Sequence, residues 1–332
     1  MQKLGTAVLV TGGAGFIGSH ACKALAAQGY LPVTIDNLST GHADAVRYGP
    51  LVRADIRDSD AVNATIRSYD IAAIIHFAAS AYVGESVQDP LAYYRNNIGG
   101  MTALLQAAQG AGIKRIVFSS SCATYGVPRD FPITENYPQR PINPYGRTKL
   151  IGEQMLADMA VAHGITYAAL RYFNAAGADP DGVLGERHAP ETHLIPLALL
   201  AAAGNGPALT VFGTDYPTPD GTCVRDYIHV DDLARAHVAA LAHLLAGGET
   251  LHLNLGSGFG LSIRDVIAGI EAFTGAPLPV CYGPRRAGDP PILTADPAAA
   301  ARLLGFKTRL SDLPTLLAHA APWFGVKQHE KA

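Results

Sequence analysis

The stretch TAVLVTGGAGFIGSHACKALAAQG, residues 6–29, decides how the rest of the chain is read. Apolar residues Ala7 to Val10 run straight into Gly12, Gly15 and Gly18, and a helical pattern follows. A strand, a turn spaced G-x-x-G-x-x-G and a helix make the first half of a βαβ unit, where glycines let a pyrophosphate approach the helix N–H groups. Alone, the triplet is also compatible with a plain tight turn. The next apolar run, LPVTIDN (31–37), ends in Asp36, eighteen residues after Gly18, where a carboxylate accepts from adenosine ribose hydroxyls. A carboxylate there repels a 2′-phosphate, and Asn37 stands where an NADP site would carry Arg, so the expected cofactor is NAD. Asp55 and Ile56 end a third strand-like segment; they either flank the adenine or Asp55 caps the following helix.

The alternation continues outward. A helix is expected around Asp60 to Ser68, then the run AAIIHFAA (72–79), a helix near Leu91 to Gly110, the run RIVFSSS (115–121), a helix after Tyr145, and ITYAALRYFN (165–174). Fully apolar strands separated by helices indicate a parallel sheet covered on both faces, an α/β doubly wound (Rossmann-type) domain. Beyond Asn174 the texture shifts to the loops GADPDGVLG, GTDYPTPDGT and GPRRAGDPP among shorter elements. The expected organisation is a nucleotide-binding domain over 1–174 with a return segment near 224–250. A smaller α/β ligand-covering domain takes 175–223 and 251–332.

Composition removes other classes. The chain has 332 residues, 48% apolar and 16% charged, with a net charge of -3, enough for a large core. No basic run exists to neutralise a phosphate backbone, so no nucleic-acid partner is expected. The four cysteines are far apart, with no C-x-x-C pair and no Cys/His cluster at ligand spacing, so no metal is expected and a reducing cytoplasm is. The apolar run around Leu194 to Ala203 is too short to span a bilayer, and no leader or membrane segment is expected.

Residues 143–149, NPYGRTK, carry the candidate chemistry. Tyr145 and Lys149 lie one helical turn apart and share a face. They are either a surface pair or a proton-transfer device. Following a nucleotide fold and a strand tipped by Ser121, a hydroxyl, a phenol and an ammonium converge as a relay for oxidising a carbinol. Lys149 and a positive nicotinamide would lower the phenol from its ordinary pKa near 10.

TGGAGFIG, Ser121 and Tyr145-x-x-x-Lys149 together resemble the extended short-chain dehydrogenase/reductase family, whose members act on nucleotide sugars with bound NAD. HFAASAYVGESVQDPLAYYRNN (76–97), FSSSCATYG (118–126), LRYFNAAGADPDG (170–182), ETHLIP (191–196), GTCVRDYIHVDDLA (221–234) and PRRAGD (284–289) are similar to UDP-glucose 4-epimerases in particular. The resemblance implies transient oxidation at C4 of a UDP-hexose to a 4-keto sugar, with Tyr145 as base, Ser121 as hydrogen-bond donor to the same oxygen and Lys149 on the nicotinamide ribose. Implied NAD contacts are Gly12, Gly15, Phe16, Ile17, Gly18, Asp36, Asn37, Asp55, Ile56, Phe77, Ala78, Ala79, Asn96, Tyr172 and Phe173, besides the catalytic three. Implied contacts to the UDP-sugar are Ser121, Tyr145, Asn174, His193, Leu194, Arg225, Arg286, Asp289 and Leu293.

This chain departs from some members by carrying His193 for Asn and Ala81-Tyr82 where others have a Lys. Leu293, intermediate in size, leaves acceptance of N-acetylated sugars open. Related dehydratases carry an acid soon after the strand-end hydroxyl; Cys122-Ala123-Thr124-Tyr125 has none, which disfavours elimination. A UDP-pentose 4-epimerase and a catalytically silent NAD-binding regulator stay as alternatives. LIGEQMLADMAVA (150–162) has apolar residues on more than one face, which suits a helix-pair homodimer with the 91–110 helix or a helix sunk deeper in its own domain.

Overall fold

The structure is a computed structural model that describes residues 5–286 and 289–329. Ala287 and Gly288 of the PRRAGD stretch lie outside the described residues, as do residues 1–4 and 330–332. The main sheet is built from β1 (Ala7–Thr11), β2 (Leu31–Asp36), β3 (Leu51–Arg53), β4 (Ala73–His76), β5 (Arg115–Ser121) and β6 (Thr166–Tyr172). Three short strands follow, β7 (Asn174–Ala176), β8 (Leu209–Phe212) and β9 (Val224–His229), and then β10 (Leu251–Leu255). The order is β10-β6-β5-β4-β1-β2-β3, all parallel, so the chain reverses direction across the sheet between β1 and β4. That switch opens a crevice at the carboxyl ends of β1 and β4, the place where such sheets bind ligands.

Side-chain alternation along the strands feeds two cores. Leu9, Ile35, Ile74 and Ile116 face one layer made by α2 (Ser59–Tyr69), α5 (Gly99–Gly110) and α6 (Pro144–His163), through Ile66, Leu104 and Leu156. Val8, Val10, Ile75 and Val117 face the other layer, α1 (Phe16–Ala27) and α8 (Val230–Leu245), through Leu25, Leu233, Leu241 and Leu244. Short helices α3 (Val83–Gln88) and α4 (Pro90–Tyr93) lead through a wide π-type turn, Tyr94–Ile98, into α5.

The smaller unit is organised by β9, which pairs with β7 and with β11 (Gly260–Ser262) and β13 (Ile292–Leu293). Its core joins α7 (Leu194–Ala202), α9 (Ile263–Thr274) and α11 (Leu313–Trp323) through Leu199, Ile270 and Leu317; β12 (Val280–Gly283) pairs with β8, and α10 (Ala298–Leu304) packs on β10.

The expected boundary at 251 is corrected. Leu251–Leu255 is the edge strand of the large sheet, paired with β6 from Leu251 opposite Ala168 to Leu255 opposite Tyr172. Leu251, Leu253 and Leu255 enter the α8-side core while His252 is exposed, an edge pattern less apolar than the central strands. Within the return segment near 224–250, β9 belongs to the small sheet although its Ile228 enters the α8-side core, and α8 is the first helix to return.

Candidate active site

The glycine turn divides its labour. Gly12 has φ +73°, and a Cβ there would stand 2.6 Å from the Ala78 nitrogen. At Gly18 a Cβ would fall 2.2 Å from the Gly12 carbonyl oxygen, so this glycine is needed for helix α1 to seat on β1. Gly15 differs: a Cβ would meet nothing nearer than that oxygen at 3.4 Å, which leaves open space above the turn. No side chain caps α1, so the N–H groups of Phe16, Ile17 and Gly18 open its positive end toward the same space.

Asp36, at the tip of β2, accepts from Ala14 N at 3.0 Å and from Leu38 N at 2.8 Å. Burial pushes its carboxyl up and these two donors pull it back. A carboxylate has about four lone-pair sites, so acceptor capacity is left over. Asp55 does not cap the following helix. Its carboxylate is forked by Arg57 at 2.8 Å from Nε and 2.8 Å from Nη2, and it accepts from Asn37 Nδ2 at 3.0 Å. The cap of α2 is Asp58, accepting from Ala61 N at 3.1 Å. Ile56 is buried against Gly100. Phe77 and Ala78 follow β4 with both N–H groups on the Thr11 carbonyl, and with Ala79 they form the rim opposite the glycine turn.

Asn143 caps α6 by accepting from Gly146 N at 2.8 Å, with Pro144 at the first helical position. This places Tyr145 in the first turn and Lys149 directly below it, both buried. Ser121 ends β5 level with Tyr172 on β6, and its oxygen accepts from Ala123 N at 3.1 Å, leaving its O–H free to donate. Lys149 Nζ donates to the Ser119 carbonyl at 2.7 Å and lies 5.8 Å from the Tyr145 ring centre. Among the described residues, that carbonyl is the acceptor the ammonium has found, and two N–H donors remain free in a buried setting. Burial brings Lys149 down to about 7.

The sequence expectation that Lys149 depresses the Tyr145 phenol is corrected for the protein alone. Burial pushes that phenol above its ordinary value, Tyr172 adds to the rise and the Ser121 hydroxyl opposes it. Tyr172, itself pushed up to about 12 by burial, shares a 2.5 Å hydrogen bond with Ser119. Phe173 is buried in the adjoining cluster with Tyr125, and Asn96 donates to Ser80 at 3.1 Å behind the β4 loop.

At the small-domain side, Asn174 opens β7 opposite Tyr227, while Arg225 on the same β9 strand lies across from Leu293. Arg225 is near enough to Cys122, the neighbour of Ser121, to lower its thiol against the upward push of burial. Arg286 pairs with Asp289 at 3.0 Å with its guanidinium 5.0 Å from the Phe212 ring. Tyr216, raised to about 12 chiefly by burial, senses both Asp289 and Arg225, which links the two arms of this surface.

His193 precedes Leu194 at the start of α7, but its Nδ1 faces carboxylates, 2.7 Å from Glu186 and 3.1 Å from Glu191. Burial opposes charge on the ring, yet these carboxylates hold His193 up to about 10 and the neighbouring His188 up to about 9. Glu186-x-His188-x-x-Glu191-x-His193 brings four ligand atoms within 4.8 Å of one another, a mixed carboxylate–imidazole spacing outside the Cys/His patterns sought in the sequence. Two other residues were also missed. Asn97 in the π-type turn accepts from Ser80 N at 2.8 Å and donates to Thr148 at 3.0 Å, joining the β4 loop to α6. Glu153, one turn past Lys149, is buried against Arg171 and Ser120.

A parallel sheet with an uncapped glycine turn at its switch point, and a serine, tyrosine and lysine gathered at the next strand end, defines a nucleotide-cofactor α/β enzyme. The chain belongs to the NAD dependent epimerase/dehydratase family, whose sequence model matches residues 8–256. It is 51% identical over 319 residues to a UDP-glucose 4-epimerase of Rhizobium leguminosarum bv. trifolii, covering 96% of this chain and 97% of that protein. Among solved structures, UDP-glucose 4-epimerase from Brucella ovis in complex with NAD is 60% identical with a TM-score of 0.95, over 98% of this chain and 100% of that one. UDP-glucose-4-epimerase from Stenotrophomonas maltophila, with bound NAD and formylated UDP-arabinopyranose, is 44% identical with a TM-score of 0.93, over 96% of this chain and 98% of that one.

Proposed function

We propose that this chain is an NAD-dependent epimerase that interconverts UDP-glucose and UDP-galactose at C4. The observation that carries it is the Ser121, Tyr145 and Lys149 set at the mouth of the switch-point crevice, with no carboxylate in the adjoining Cys122–Tyr125 turn to drive elimination. The full-length likeness to UDP-glucose 4-epimerases supports the substrate.

The residues fit NAD. The open space over Gly15 and the uncapped start of α1 suit a pyrophosphate, the remaining lone pairs of Asp36 suit ribose hydroxyls, and the two free donors of Lys149 suit a second ribose. Asn37, Phe77, Ala78, Ala79, Asn96, Tyr172 and Phe173 complete the proposed cofactor surface; Asp55 acts on it indirectly, by holding Asn37. When bound, NAD supplies a reversible hydride acceptor and a positive ring beside the phenol. Tyr145 takes the proton of the sugar 4-hydroxyl, and Ser121 donates to the same oxygen. Arg225 and Arg286 hold the diphosphate, with Asn174 and Asp289 as further polar contacts and Leu293 at the sugar end. A firm hold on the nucleotide leaves the hexose free to turn and take the hydride back on its other face.

The proposed domain division assigns the large sheet with α8 and β10 to the cofactor and the β9-centred unit to the UDP-sugar. A homodimer is proposed from apolar side chains left in solvent near α6, with Val87 63%, Leu91 65% and Val161 92% exposed. A cytoplasmic setting agrees with four free thiols, and no helix among the described residues is long and apolar enough to cross a membrane.

Purified protein without added cofactor, given UDP-galactose, should form UDP-glucose, and Tyr145→Phe should lose on the order of 10²–10⁴-fold in rate while melting within a degree or so of the wild type. A variant that retains more than a tenth of the activity sinks the assignment of Tyr145. A UDP-pentose is the second reading, favoured by the arabinopyranose ligand of the Stenotrophomonas relative. Turnover of UDP-xylose but not UDP-galactose would select it.

A further inference from the structure

The loop between the two ligand-facing halves carries a cluster of two carboxylates and two imidazoles, of which only His193 is among the expected UDP-sugar contacts. We propose that Glu186, His188, Glu191 and His193 bind one divalent transition ion of the zinc class, which fastens this loop between the α1 turn and the start of α7. The first observation is geometric. His193 Nδ1 lies 2.7 Å from Glu186 Oε1 and 3.1 Å from Glu191 Oε1, while His188 Nδ1 lies 3.1 Å from Glu186 Oε1 and 3.5 Å from Glu191 Oε2. Four ligands at zinc distances of about 2.0–2.1 Å in a tetrahedron stand about 3.3 Å apart; with Glu186 Oε1 and Glu191 Oε2 as the carboxylate ligands, the separations of 2.7, 3.1 and 3.5 Å from the imidazoles lie around that value.

A second observation separates an ion site from an ordinary ion-pair network. The Glu186 side chain is 3% exposed, yet its Oε1 has no hydrogen-bond partner among the described residues, and neither has Nδ1 of His188. His193 Nδ1 is hydrogen-bonded to Glu191 Oε1 at 3.1 Å, but Glu186 Oε1 and His188 Nδ1 face each other without such a bond. A buried carboxylate oxygen left unsatisfied beside imidazole nitrogens is a position that a shared cation completes. Glu191 Oε1 already accepts from Thr192 N at 2.7 Å and His193 N at 2.8 Å, which fixes this carboxylate and presents Oε2 toward His188. Two imidazoles with two carboxylates are a borderline ligand set, which zinc, nickel or cobalt accepts and magnesium or calcium does not prefer.

The surroundings state what the ion would hold. His188 lies edge-on to Phe16 at 6.4 Å and to Tyr82 at 6.0 Å between ring centres, and the Trp323 indole donates to the Glu186 carbonyl at 2.9 Å. Arg187 reaches across to Asp44 at 2.8 Å. One ion would thus tie the glycine-turn helix, the β4 loop and α7 through a single stretch of chain. His193 remains half exposed, which leaves an entry path.

The test uses tag-free, full-length protein stripped with a strong chelator and dialysed, in a Cys281→Ser background to remove the exposed thiol. Zinc is titrated by calorimetry, and cobalt is followed by its visible absorption. The expected result is one zinc per chain, an intense tetrahedral cobalt spectrum, and a melting temperature that rises with zinc. Glu186→Gln and His193→Asn should each weaken zinc binding at least 10-fold and remove the cobalt band. Wild-type protein that takes up no stoichiometric zinc overturns the proposal outright, whatever becomes of the variants. Equal zinc affinity in wild type and both variants overturns it as well, by placing the ion elsewhere.

Discussion

Replacing Lys149 by Met should make the cofactor-free protein more stable while removing its activity. The ammonium is buried, with one hydrogen bond to the Ser119 carbonyl at 2.7 Å. Burial lowers its pKa from 10.5 to about 7, so the folded state disfavours the charge that the unfolded chain carries freely. The sign follows: with the folded value below the unfolded one, stability is lost as pH falls from 10.5 toward 7. At about 1.4 kcal/mol per pH unit of that gap, the buried ammonium costs the fold on the order of 4 kcal/mol at pH 7. Losing the hydrogen bond returns about 1 kcal/mol, and Met fills nearly the same volume. Lys149→Met should therefore gain roughly 3 kcal/mol, or about 4 °C in melting temperature for a chain of 332 residues, measured by calorimetry on protein verified free of nucleotide. The gain should be largest at or below pH 7 and shrink toward pH 10.5. A variant that melts at or below the wild-type temperature at pH 7 would refute the account of Lys149 as a strained, function-bearing charge.

Gly15→Ala should fold with a melting temperature within about 2 °C of wild type but bind NAD at least 10-fold more weakly, because its Cβ meets no protein atom closer than 3.4 Å and points into the proposed ligand space. Gly18→Ala, whose Cβ would lie 2.2 Å from a backbone oxygen, should lose several kcal/mol in urea unfolding; equal behaviour of the two variants in both assays would contradict the division of roles. Glu153→Leu and Arg171→Leu should each cost ~3–5 kcal/mol, since each strands a buried charge, and the double variant should cost less than their sum, a coupling that additive behaviour would disprove. His20, His229 and His237, held down at about 4, and His76 at about 3, each chiefly by burial, bind protons only in the unfolded chain between pH 6.5 and 4. Each should remove about 2 kcal/mol of stability between pH 7 and 5, with Asp231, raised to about 6 by burial, offsetting roughly one of them, and a melting temperature flat over that range would count against them.

What could be read from the chain and what could not divides by the range of the interactions. The β1 strand, its glycine turn and α1 are local, and so is the pairing of Tyr145 with Lys149 across one helical turn, so both are visible in order along the sequence. The edge strand β10 was not visible, because its place depends on β6, some eighty residues earlier, and its alternating Leu251, His252, Leu253 resembles a surface strand as much as a sheet member. The cap alternative for Asp55 failed for a nearer reason. Arg57 two residues on captures it, and a sequence does not say which of several polar neighbours a carboxylate will choose.

Helix α6 shows why the candidate site itself was only half visible. Hydrophobic patterning assumes that a helix buries apolar residues, but this one buries Tyr145, Thr148, Lys149 and Glu153 and leaves Val161 92% exposed. Its inward face is polar because each buried group has a fixed partner on another element. Asn97 on the π-type turn donates to Thr148, the Ser119 carbonyl accepts from Lys149, and Ser120 with Arg171 on β5 and β6 hold Glu153. The same contacts that satisfy these groups set the height of α6 against β5, and so the approach of Tyr145 to Ser121. A polar helix face normally marks solvent; here it marks a helix whose position is fixed by directional bonds as well as by the apolar contact of Leu156. The residues that aim the phenol are therefore spread over four elements, and only the fold brings them to bear on it.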